Sequence, residues 1–136
     1  MHAQEYARRY AAADVSVADR GRLLLLVFEG GIKFLRLTRD ALAAGDVAHF
    51  GEHLARSQAI ISELLATLDH QAGGPIAADL ARLYDFMLFH LTEANMRKSV
   101  KHVEQVMAVF GTVAAAYRDI IERRPEPAGA PAAAAS

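Results

Sequence analysis

No cysteine and no tryptophan occur in this 136-residue chain, and three of its 4 prolines fall in its last twelve residues. The missing thiols exclude a disulfide scaffold and a thiolate metal site, as suits a reducing compartment. No segment approaches the ~20 consecutive apolar residues that cross a bilayer. The N-terminal stretch Met1-His2-Ala3-Gln4-Glu5-Tyr6-Ala7-Arg8-Arg9-Tyr10 places charges and aromatics where a secretory signal needs an apolar core. A formal net charge of −1 offers no general attraction to nucleic acid or to acidic membranes. These absences leave a soluble, cytoplasmic chain of one domain that selects partners by shape and apolar surface, with no nucleic acid and no membrane insertion.

What is present is helical patterning. Leu23-Leu24-Leu25-Leu26-Val27-Phe28 is a run of six apolar residues followed by Glu29, Lys33, Arg36 and Arg39. At about 100° per residue such a run surrounds a helix, so other protein must cover it on more than one side. The first helix is expected from Asp19, whose carboxylate can cap free amides, to about Ala44, with Gly45 ending it. Asp46 caps a second helix in which Phe50, Leu54, Ile61, Leu64, Leu65 and Leu68 recur at helical spacing. Asp69 to Pro75 breaks the pattern, and Pro75 suits the first position of a third helix. Its buried stripe reads Ile76, Leu80, Leu83, Met87, Leu91 and Ala94, with Tyr84 assigned to the interior. Ser99 caps a fourth helix with Val103, Val106, Met107, Phe110, Val113, Ala114, Tyr117 and Ile121 in phase.

No β alternation or hairpin signal interrupts this series. The fold expected is all-α, an antiparallel four-helix bundle over residues 19–124, preceded by an N-terminal arm or short helix (residues 1–18). An Ala/Pro-rich stretch, residues 125–136, is expected to be a disordered tail.

Catalytic motifs are thin. His49-Phe50-Gly51-Glu52-His53 matches the H-x-x-E-H spacing of some zinc peptidases, but a third ligand and a second lobe are missing, and two histidines on a polar helix start account for it. No glutamate has histidine three positions later, as a di-iron bundle requires. A histidine phosphotransfer bundle is the stronger rival, with His53 as acceptor and Arg56 one turn on, although Ser57 stands where such modules carry glycine. No cofactor-binding or catalytic set emerges, and an enzyme is not expected. Tyr6 and Tyr10 share one side of a helical turn on an arm too weakly apolar to form a core. They are either exposed at a frayed end or docked on apolar surface of the bundle.

Leu68-Asp69, Gly73-Gly74, Ile76-Ala77, Leu80, Leu83-Tyr84-Asp85-Phe86-Met87, Leu91 and Ala94-Asn95 are similar to the L-D…G-G-x-I-A…L-Y-D-Y-M…L…A-N run of the FliS-type flagellar secretion chaperones. Phe28-Glu29-Gly30 resembles that family's aromatic-acid-glycine element, and Tyr10 with Val15 resembles the start of its arm. The resemblance covers about Tyr10 to Ile121. Departures are Val17-Ala18-Asp19-Arg20 before helix one, Lys98-Ser99 before helix four, Tyr117 where tryptophan is usual, and Phe89-His90 where paired arginines are common.

The resemblance implies a cytoplasmic export chaperone, without catalysis or cofactor, that wraps the disordered C-terminal segment of flagellin in apolar grooves. Premature polymerisation is thereby blocked and the client stays competent for type III export. It further implies the flagellar export gate and a flagellin-level regulator as partners, with an arm that covers a groove until the client arrives. A monomer and an arm-exchanged dimer both stay open. The expected contact surface is Tyr10 on the arm, Leu25, Phe28 and Ile32 on helix one, and Ile61, Leu64, Val103, Val106, Met107 and Phe110 on helices two and four. Each of these also fits a plain core position.

Overall fold

The computed structural model describes the backbone of residues 2–123 and the side chains of residues 20–123. Its elements are α1 (His2–Ala43), α2 (Val47–Ala66), α3 (His70–Gly73), α4 (Pro75–Arg97) and α5 (Val100–Glu122). The four long helices form an all-α bundle in which α1 packs on α2 and α5, and α4 packs on the same two. Paired contacts of α1 run in opposite directions along α5 and α2: Glu29 meets Arg118 and Gly31 faces Phe110, while Thr38 meets Ser57 and Gly30 faces Ile60. The bundle is therefore antiparallel, with α3 a single turn in the connection from α2 to α4.

Helix one differs from its expected bounds. It is continuous from His2, so Asp19 lies within the helix instead of at its start. The alanine, arginine, glutamine and glutamate of residues 3–13 are good helix formers and carry the helix back past the single capping signal. At 1.5 Å per residue α1 extends about 63 Å, almost twice the length of α5. The side chains of residues 2–19, Tyr10 among them, and the tail expected over residues 125–136 lie outside the described residues.

The other boundaries follow their capping chemistry. Asp46 accepts from the His49 amide, Asp69 from the Gln71 and Ala72 amides, and Ser99 from the His102 amide. Pro75 opens α4, and Gly74, at φ 51°, makes the turn into it.

Phe28, Leu35, Phe50, Leu54, Ile61, Leu64, Tyr84, Met87, Leu91, Val106 and Phe110 make up the core. Two rules of the α4 stripe are corrected: Ile76 is 70% exposed and Leu83 is also exposed, with Ala77 and Tyr84 buried in their place. In the apolar run of α1, Phe28 is buried, Leu24, Leu25 and Val27 are half-buried, and Leu23 and Leu26 face outward.

Two close approaches set the bundle's width. At Gly31 a Cβ would lie 2.7 Å from Phe110 Cε1 and nearer still to Cζ, so α1 and α5 sit as close as they do because that atom is missing. On the other side, the buried hydroxyls of Thr38 and Ser57 meet at 3.3 Å between α1 and α2. Thr38 also lies 2.6 Å from the Phe34 carbonyl and Ser57 3.0 Å from the His53 carbonyl. Two protons serve these three contacts, and each hydroxyl has a carbonyl of its own helix to donate to, so neither is stranded.

Gly31→Ala is expected to destabilise the protein in urea or thermal unfolding. Overpacking costs about 1–3 kcal/mol and exceeds the gain in helix propensity of at most about 1 kcal/mol. At the α2 cap, His49 Nδ1 lies 2.5 Å from Asp46 Oδ2. That hydrogen bond raises the His49 pKa above its usual value and lowers that of Asp46. The histidine's contribution is present below its unfolded pKa and lost as pH rises through its raised folded value. The aspartate's is present above its unfolded pKa and lost as pH falls through its lowered one. The pair is therefore strongest between about pH 4 and pH 6.5. Asp46→Asn, which keeps the cap, is expected to return the His49 midpoint in an NMR titration toward the ordinary histidine value.

Candidate functional site

The more enclosed of two concave features is an apolar groove of about 480 Å³ at the end of the bundle where α2 and α5 finish and α4 begins. Phe28, Leu64 and Tyr84, each 3% exposed, form its floor. Ile76, Leu80 and Leu83 of α4 make one wall, and Thr112, Val113, Ala116 and Ile120 of α5 the other. Leu24 of α1 and Thr67, Leu68 and Asp69 after α2 complete the rim.

The opening has a packing cause. Phe28 stacks on Phe110 at 5.5 Å between centroids and on Tyr117 at 5.3 Å, which seals the α1–α5 seam. Along the groove α5 intersperses the small Thr112 and Ala116 between Val113 and Ile120, and these small side chains leave space before Leu80 and Leu83. Large apolar side chains therefore stand at the surface with nothing opposite. A shallower notch between α4 and α5, lined by Asp79, Arg82, Leu83, Phe86 and Val109, shares Leu83 with the groove. Phe89, 63% exposed, lies one turn past Phe86 on α4.

Of the expected contact residues, Phe28 and Leu64 reach the groove, as its floor. Ile61, Val103, Val106 and Phe110 are buried core side chains, exposed by 1% or less. Leu25, Ile32 and Met107 are half-buried, outside the groove lining. Sequence reasoning placed Ile76, Leu80 and Leu83 inside and did not single out Leu24, Leu68 or Ile120. Leu24 and Leu68 continue the stripes of Phe28 and Leu64 by one turn, and Ile120 sits one residue out of phase with the stripe of α5.

Little here can do chemistry. Among the described residues no group of three metal-ligating side chains converges, and His49 is engaged by Asp46 instead of pairing with His53 around an ion. His53 Nδ1 is buried without a hydrogen-bond partner, and the ring lies 6.2 Å from Phe34, a poor setting for a phosphoryl acceptor. His90 Nδ1 meets the Phe86 carbonyl and His102 Nδ1 meets Ser99, both local contacts. No helix among the described residues is long and apolar enough to cross a membrane.

A helical bundle with an apolar groove at one end presents the kind of surface that binds other chains. A family model for the flagellar protein FliS matches residues 2–124, and the chain belongs to the FliS family, whose members are export chaperones. The flagellar secretion chaperone FliS of Salmonella typhimurium is 34% identical over 116 residues, covering 85% of this chain and 86% of the relative. The flagellar secretion chaperone FliSB of Pseudomonas aeruginosa is 31% identical over 107 residues, 79% of this chain and 85% of the relative. FliS of Bacillus subtilis, which bears the same chaperone name, is 28% identical over 113 residues, 83% and 84%.

Burial pushes the Tyr84 phenol up to about 12, with the neighbouring Tyr117 adding to the effect. The folded state thus holds this proton in the range where an unfolded tyrosine, with a pKa near 10, has lost it. Stability falls as pH rises from about 10 to about 12. Tyr84→Phe is expected to flatten that alkaline decline in chemical denaturation measured across the range.

Proposed function

We propose that this chaperone works in the cytoplasm and holds the disordered C-terminal segment of flagellin in its apolar groove. The segment is then kept from polymerising early and remains competent for flagellar type III secretion. The observation that supports this best is the groove itself, whose aliphatic walls and aromatic floor fit the apolar face of a segment that becomes helical. Ile76, Leu80, Leu83, Leu24 and Ile120 act as contacts, with Phe28 and Leu64 beneath them. Tyr10 on α1 and the half-buried Leu25, Ile32 and Met107 are further contacts along the client's path. Ile61, Val103, Val106 and Phe110 serve by holding the walls in place. The export gate and a regulator of flagellin levels are the other partners this reading carries.

Calorimetric titration of the full chain with a flagellin C-terminal segment tests it. The expected result is saturable 1:1 binding with a negative heat-capacity change, the mark of apolar burial. Ile76→Asp should weaken binding at least about tenfold, or about 1.4 kcal/mol, while leaving the melting temperature in place because the side chain is mostly exposed. His53→Gln should leave affinity unaltered. Absence of binding by the folded protein would reject flagellin as the client.

A further inference from the structure

We infer that His90 of α4 and His102 of α5 together form a binding site for a divalent transition-metal ion, zinc being the one that imidazole and water suit best. Both side chains are half-buried, and their ring centroids lie 5.7 Å apart. With Zn–N of about 2.0–2.1 Å and each ring centre about 1.2 Å behind its nitrogen, two imidazoles on one ion have centroids about 5.2 Å apart at the tetrahedral angle and about 6.4 Å apart when collinear. The observed spacing falls inside that window. It joins two helices anchored alongside by Leu91 and Val103, both fully buried.

The hydrogen bonds of the two rings favour the tautomer a ligand needs. His90 Nδ1 is 3.1 Å from the Phe86 carbonyl, which can only accept, so Nδ1 carries the proton and Nε2 of the neutral ring keeps its lone pair. His102 Nδ1 is 2.7 Å from Ser99 Oγ, an atom that also accepts from the His102 amide and has a second lone pair for the ring N–H. An Nδ1–H held by an oxygen acceptor is the outer contact that metal-bound histidines ordinarily make. Neither Nε2 has a hydrogen-bond partner among the described residues. Phe86 at 3.9 Å and Phe89 at 5.8 Å wall the His90 ring and limit its rotation.

The other neighbouring pair is less suited. His49 and His53 lie 6.0 Å apart on α2, but Asp46 favours the charged form of His49, which has no lone pair to give, and His53 Nδ1 is buried with no acceptor for its proton. With no cysteine in the chain, no thiolate competes for the ion. Two protein ligands leave the remaining positions of a tetrahedral ion to water. An ion held there ties α4 to α5 beside the notch at Phe86 and Val109 and stabilises the folded state by mass action. The site does not depend on which client fills the groove.

The test is a zinc titration of the full chain without an affinity tag, followed through the imidazole nitrogens by NMR. One equivalent is expected to move the Nε2 resonances of His90 and His102 together while both Nδ1 atoms stay protonated, and to raise the melting temperature. His90→Gln and His102→Gln should each weaken zinc binding at least about tenfold in calorimetry, since loss of an outer contact alone costs about 10–100-fold. His53→Gln should leave zinc binding unaltered. The spectra come from the unsubstituted protein, so they decide the matter even if a glutamine variant unfolds. Movement at His2 or at His49 and His53 instead, or at only one ring of the proposed pair, overturns the inference. So does an excess of zinc that moves no imidazole resonance.

Discussion

The seam between α1 and α5 closes because Gly31 has no side chain where the Phe110 ring lies against it, and the rest of the bundle is arranged around that contact. Phe110 reaches the centre only because α1 admits it. Once there it positions Phe28, whose ring also meets Tyr117 about two turns further along α5. The aromatic ladder uses the large side chains of α5 on the α1 side. The groove-facing side of the same helix carries the small Thr112 and Ala116 beside Val113 and Ile120, and the groove opens there. Core and binding surface are thus two consequences of one placement of rings.

Exposed apolar surface of this kind is a liability in a free protein and a requirement in one that captures a chain. Here the groove gathers much of it at one end of the bundle, while Glu29–Arg118, Glu93–Arg97 and Asp119–Arg123 form charged pairs on the helices. Such exposed pairs add little stability, but they bound the apolar area and keep it from spreading along the helices. His49 at a helix start and His102 beside Ser99 are engaged in local contacts.

Much of the architecture was readable because capping chemistry is local. Asp46, Pro75 and Ser99 mark their helix starts, and the interior positions of α2 and α5 follow from spacing alone. Asp19 misleads for the same reason: it satisfies a local rule in a stretch where the preceding residues already favour helix. The single turn α3 was hidden in a segment that reads as a breaker, since Asp69 caps only four residues before Gly74 turns the chain. The groove was harder to find. At the head of α4 both Ile76 and Ala77 fit a helical stripe, and hydrophobicity chooses isoleucine. Packing chooses alanine, because the helix is rotated to bury Ala77 and Tyr84 and to leave Ile76 at the edge. An edge residue and a core residue differ by one position in a pattern whose tolerance is about one position. Phe28 and Leu64, expected at the contact surface, line the groove, and so do Leu24, Leu68 and Ile120, which were not expected there.

The energetics of holding a disordered segment set a limit on what one groove can do. Ordering each client residue costs about 1–2 kcal/mol in backbone entropy alone, and fully burying a leucine-sized side chain returns about 1.5–3 kcal/mol. An anchor thus offsets only itself and a neighbour. A groove of about 480 Å³ accommodates a few anchors, enough for a short stretch and too little for a long one. Capture of a long segment needs further footholds within reach of the first. Leu83 joins the groove to the notch at Phe86 and Val109, and Phe89 extends the apolar track along α4. Affinity distributed in this way suits an export chaperone, because release can begin at one foothold and proceed stepwise without any single barrier as high as the whole.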